Sequence, residues 1–210
     1  MALPDPQARR RWIPLMAVAT AAAAALHSGP AAAQASPPAA SAAPLEGSRS
    51  ITLHARDGSS LRLGSVRFTP QADGRSTFAL ALDSAPFKDF FLSMKEFKCV
   101  EGQGEIFCHV PYPYPQPGSV GPGDLAWLEH ALLFMFKTPS EFGARLWNGV
   151  YWRLSPTATG GFEGRPQAID LNRISAPPAK AGPPYVPPYG AAQRDDIPSG
   201  ARWFGRLTVE

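Results

Sequence analysis

The sequence is poor in the residues that announce chemistry. It holds two cysteines and four histidines in 210 residues, and charged side chains make up 18%. No G-x-S-x-G occurs, so a serine nucleophile on a strained elbow is not indicated. The glycines follow turn logic and match neither phosphate-binding fingerprint. Arg9 to Arg11 stand in the first 35 residues against one acid, Asp5, and their removal leaves basic and acidic residues nearly equal. The remainder has no Lys/Arg run, and a clustered basic field is what displaces counterions from phosphates. Nucleic acid is therefore not an expected partner, and no cofactor is indicated.

Proline, by contrast, is abundant: 24 residues, which excludes an all-helical bundle because each interior proline removes a donor and clashes with the preceding turn. The one long apolar stretch lies at the start. Arg9 to Arg11 form a basic n-region, Trp12 to Leu26 an alanine-dominated apolar run, and Ala33-Gln34-Ala35 a small-x-small cleavage pattern. The run is short for the ~20 residues of a membrane span. Residues 1–35 are thus expected to be a signal peptide, with a mature start at Ser36. The arginines fit general secretion and, loosely, a twin-arginine signal. No cysteine follows the cleavage site to carry a lipid, so the expected address is periplasmic or secreted, with no membrane span. Residues 36–49, rich in Pro, Ala and Ser, are expected to be a flexible linker.

From Ser50 onward the pattern is that of strands. Ile51, Leu53 and Ala55 alternate with polar residues, Asp57-Gly58 is a turn dipeptide, and a second run follows whose phase slips at Gly64-Ser65, which predicts a bulge. Asp73-Gly74 and the alternating Phe78, Leu80 and Leu82 complete a three-stranded meander. Further strands are expected over Met94 to Val100, Ile106 to Tyr112, Val150 to Leu154, Phe162 to Leu171 and Trp203 to Val209. Asp124 to Phe136 reads as one buried helix with Glu129 and His130 at its wet edge; the competing reading is a helix to His130 and then a buried strand. Thr138 to Glu141 has capping-box spacing and predicts a short helical turn. Residues 176–190 hold six prolines and resemble a polyproline strap. The expected fold is mostly β with a helical insertion (α+β): residues 50–210 as a single domain whose antiparallel sheet curls into a small barrel or sandwich.

Cys99 and Cys108 bracket a turn centred on Gln103-Gly104. That register places them on a non-hydrogen-bonded pair, where side chains come closest, so a cross-strand disulfide is expected. A redox pair would have closer spacing at a helix start. A metal site using His109 would have only three local ligands, so no metal is expected. Glu101 and Glu105 flank the hairpin tip and read as solvated charge. No catalytic residue is assigned. The candidate binding residues are the aromatics Tyr112, Tyr114, Trp147 and Tyr151, on rigid segments that lose little entropy on contact, together with His109. The rival reading places Trp147 in the core with Trp152.

The runs Asp89 to Cys99, Cys108 to Tyr114 and Leu146 to Tyr151 resemble a family of uncharacterised exported proteobacterial proteins, over about residues 78 to 178. The resemblance supports export and the disulfide, and it implies no activity. Three functions remain open. The first is a non-enzymatic periplasmic module that binds or scaffolds an envelope protein or glycan. The others are a lipocalin-like carrier of a small apolar ligand and a hydrolase of unfamiliar type using His109 and a nearby carboxylate.

Overall fold

The computed structural model describes residues 43–92, 95–180 and 182–210. The predicted leader and the linker up to residue 42 lie outside the described residues. Strand begins at Gly47, three residues before the alternation predicts. β1 (Gly47–Ala55), β2 (Ser60–Pro70) and β3 (Ser76–Leu82) form the expected antiparallel meander. Asp57 and Asp73 shape its turns by accepting from the backbone N–H groups of Ser59 and Arg75, at 2.9 and 3.0 Å. The register slips between Ile51 and Thr52, opposite Gly64 and Arg62, so Leu63 is the extra residue of a bulge beside the predicted site.

β4 (Lys88–Leu92), β5 (Lys95–Gly102) and β6 (Glu105–His109) form a second meander. Its tight turn rests on Gly104, whose φ of 71° a larger residue adopts only with strain. Cys99 faces Cys108 in the predicted register, and the two are bridged. β7 (Ser119–Val120), β8 (Phe134–Lys137), β9 (Gly149–Pro156), β10 (Phe162–Ile169), β11 (Asp195–Asp196) and β12 (Phe204–Val209) complete one sheet. Its order is β4-β5-β6-β8-β9-β10-β12-β1-β2-β3-β7, with β11 added to β10.

The sheet does not close into a barrel, against one of the two expected forms: β4 and β7 stand at its two ends. Prolines at 111, 113, 115, 117 and 122 fix φ and remove donors on either side of β7, and β7 is held to two residues.

The long helix is also corrected. α1 covers only Ala126–Ala131, and Phe134 to Lys137 is strand, as the competing reading had it. A strand here lets Phe134 and Phe136 face one core cluster and Met135 the other, which a helix would not separate. Asp124 makes an ion pair with Arg75 at 3.1 Å and accepts the N–H of Ala126, the first residue of α1, at 3.4 Å. The N-cap position itself is Leu125, which has no side-chain bond to give. Thr138 to Glu141 is a turn, with Glu141 accepting from the Thr138 N–H at 2.7 Å.

Both faces of the central strands are covered. On the inner face Phe107 packs against Phe134, Trp152 and Phe204, with ring centroids 6.2, 6.4 and 5.5 Å away. Leu128 and Leu132 from α1 and its end join this cluster. The outer face carries the disulfide, Met135, Tyr151 and Ile169. A 3-10 turn (Leu171–Ile174) and Tyr189 from the strap pack onto it.

Candidate functional site

β8 pairs with β9 only at Val150 and Gly149, and α1 lies along the edge that β8 leaves. Glu129 Oε1 accepts the backbone N–H of Leu154 at 2.7 Å, and its other oxygen accepts the Tyr151 hydroxyl. Arg153 approaches the same carboxylate at 3.5 Å. Glu129 is 1% exposed and His130 0%, so neither is the wet edge of the helix. The reason is long-range: their partners come from β9 and from the strap.

His130 is spent on the fold. Its Nδ1 lies 2.6 Å from the Ala126 carbonyl, and its Nε2 accepts the backbone N–H of Tyr189 at 3.3 Å. That pair of contacts selects the neutral ring protonated on Nδ1. Burial holds its pKa down to about 4, with Arg194 adding to the effect and the Ala126 carbonyl opposing it. Tyr189 stacks on the ring at 5.5 Å, and the edges of Tyr151 and Tyr112 approach it at 5.3 and 6.1 Å. Burial, reinforced by Glu129, raises the Tyr151 pKa; burial, reinforced by Asp170, raises that of Tyr189. Both phenols therefore stay protonated at neutral pH.

This buried cluster fixes the surface above it. Tyr112 donates its N–H to the His130 carbonyl at 2.9 Å, packs on Trp127 at 5.8 Å and meets Tyr114 edge-on at 5.5 Å. Tyr112 and Tyr114 are half-buried. They line a groove with the prolines of the strap, Val186, Arg173 and Gln193. Arg173 and Gln193 also line a neighbouring shallow pocket with Trp147 and Tyr189. The two grooves thus form one aromatic and proline-lined surface, with Trp147 63% exposed.

The predicted binding residues separate accordingly. Tyr112, Tyr114 and Trp147 lie on this surface, and the reading that buries Trp147 in the core is overturned; of that pair only Trp152 is interior. Tyr151 is corrected: its hydroxyl is bound to Glu129 beneath the strap, and its ring is covered by Arg194 at 4.6 Å, so no partner reaches it. His109 is half-buried, with its Nε2 2.8 Å from the Ala131 carbonyl, and burial lowers its pKa. Among the described residues no carboxylate hydrogen-bonds to it, and no group of three His, Cys, Asp or Glu is placed to hold a metal. Neither Arg173 nor Gln193 is marked by the sequence; one follows the capping Asp170 and the other ends the short 3-10 turn Ala191–Gln193 after the strap, with no local pattern to single out either.

What the arrangement offers chemically is contact area, one guanidinium and hydrogen-bonding edges. The buried imidazole and carboxylate have their lone pairs committed to the backbone and to Tyr151. No family model, curated sequence or solved structure matches the chain.

Proposed function

We propose that the protein is an exported, non-enzymatic module that holds an envelope component on the surface formed by Tyr112, Tyr114 and Trp147. The observation that carries this reading is the exposure of Trp147 in a shallow pocket beside the tyrosine- and proline-lined groove. A large exposed indole contributes little to folding and is a favoured anchor in interfaces. The strap and the 3-10 turn hold the surface rigid through buried Tyr189, so binding there costs little ordering entropy. Export rests on the leader pattern and accords with the disulfide. Membership of the exported proteobacterial family that the chain resembles is part of the same proposal. The carrier reading has less support, because Phe107, Phe134, Trp152 and Phe204 fill the inner face. The hydrolase reading also has less support, because among the described residues no carboxylate hydrogen-bonds to His109.

The test is capture of envelope material by the immobilised protein. Wild type is expected to retain a discrete component that the Tyr114→Ala/Trp147→Ala double variant loses while melting as wild type does. Equal retention by the variant, or none by wild type, would sink the proposal.

A further inference from the structure

A second feature of the outer face is unrelated to the aromatic surface. Arg153 on β9 stands directly opposite Arg165 on β10, and Arg206 on β12 directly opposite His54 on β1. The two pairs meet at Glu163: Arg165 Nε and Arg206 Nη1 each lie 3.6 Å from its carboxylate, one at each oxygen. Three arginines therefore lie in a row across the adjacent strands β9, β10 and β12, with His54 beside them on β1.

Folding does not account for this row. Like charges directly opposite on neighbouring strands destabilise a sheet. One carboxylate at 3.6 Å, beyond the length of a charge-assisted hydrogen bond, does not satisfy two guanidiniums. Arg153 reaches only Glu129, whose oxygens already accept from Tyr151 and Leu154. The Arg165 and Arg206 side chains are 84% and 47% exposed, so their donors face solvent. His54 reports the same field. Burial first, and Arg206 second, lower its pKa, and its Nε2 pairs with the Thr208 hydroxyl at 2.9 Å.

Arg165 and Arg206, with Glu163 between them, form one wall of a cleft whose other wall is the loop from Asp196 to Gly200, and Arg153 lies outside it. Arg202 also lines it but is engaged by Glu105 at 2.6 Å, and Asp196 is engaged by Gln167 at 2.7 Å. The loop makes the site a slot, which admits a single chain more readily than a bilayer surface. Neighbouring strands lie ~4.8 Å apart, so the cations recur at about that interval. The charges of a saccharide chain with one acidic group per sugar recur on a similar scale.

We propose that the slot over β10 and β12 binds an anionic saccharide, whose carboxylate or phosphate groups pair with Arg165 and Arg206. Guanidinium forks suit both oxyanions.

The probe is a galacturonate trimer, measured by calorimetry on the full domain, with maltotriose and phosphatidylglycerol vesicles alongside. The trimer is expected to bind saturably, to weaken steeply with salt, and to lose about tenfold in affinity with Arg165→Gln and again with Arg206→Gln. Both variants should melt no lower than wild type, because each relieves like-charge crowding. Trp147→Ala should bind the trimer as wild type does, which separates this site from the aromatic surface. Equal binding of maltotriose, binding to vesicles alone, or unchanged affinity in both arginine variants would each overturn the assignment.

Discussion

Glu105 at the tip of the β5–β6 hairpin and Arg202 just before β12 form an ion pair, with 2.6 Å between Oε1 and Nη1. The other carboxylate oxygen accepts the Trp203 N–H at 2.7 Å, and the Arg202 guanidinium lies 3.7 Å from the centre of the Phe136 ring. Gly102 completes the latch, because any side chain there would collide with the Trp203 indole. Glu105 is thus buried and paired, where the hairpin position suggested a solvated charge; Glu101, on the same tip, is exposed and bonded to Lys88.

Removing one member of this pair strands the other in a poorly solvated place. Glu105→Ala is expected to cost about 1 to 3 kcal/mol in urea unfolding. Arg202→Ala should cost less than this on the Glu105→Ala background than on wild type, since the interaction is lost only once. Strictly additive losses would show that the latch does not couple. Burial raises the Glu105 pKa above its ordinary value, against the pull of Trp203 and Arg202. Its contribution is therefore full below the unfolded-state value and shrinks as pH rises through the folded one.

Leu132 closes α1 and is fully buried against the inner cluster. Leu132→Ala is expected to cost ~2 to 5 kcal/mol, the span of cavity-forming leucine deletions. Unfolding at the wild-type midpoint would place its side chain outside the core.

His130 gives the opposite pH dependence from Glu105. Its folded pKa is held down to about 4 from 6.5, so its contribution is complete above pH 6.5 and lost as pH falls through about 4. The full loss is on the order of 3 kcal/mol. His130→Asn should unfold with a shallower dependence on pH between 6.5 and 4. Parallel profiles for the two proteins would refute the neutral, buried ring.

The two tryptophans should divide cleanly. Trp152→Ala is expected to cost about 3 to 5 kcal/mol, whereas Trp147→Ala should shift stability by less than about 0.5 kcal/mol. A large loss at Trp147 would return it to the core.

The features legible in the sequence are those whose causes are local. Asp57-Gly58 and Gln103-Gly104 carry their turns in their own backbone preferences. The cysteine register follows by counting outward from one of those turns. The buried state of Glu129 and His130 could not be read in this way, because Tyr151 and Tyr189 arrive from 22 and 59 residues away. Leu132 to Phe136 was ambiguous for a related reason. Helix and strand both bury such residues, and the choice fell to the vacant position between β6 and β9. The aromatic surface was half visible: its tyrosines announced themselves beside prolines, but Arg173 and Gln193 join it only through the fold.

β12 sits between β10 and β1, in the middle of the sheet. Until its six residues arrive, the β4–β10 half and the β1–β3 half have no strand in common. A ribosome releases the chain from the N-terminal end, so the joining strand emerges after the other eleven. The sheet therefore cannot be completed before β12 has emerged. A copy truncated before Phe204 would carry two sticky, unjoined halves, and proteolysis would be its expected fate.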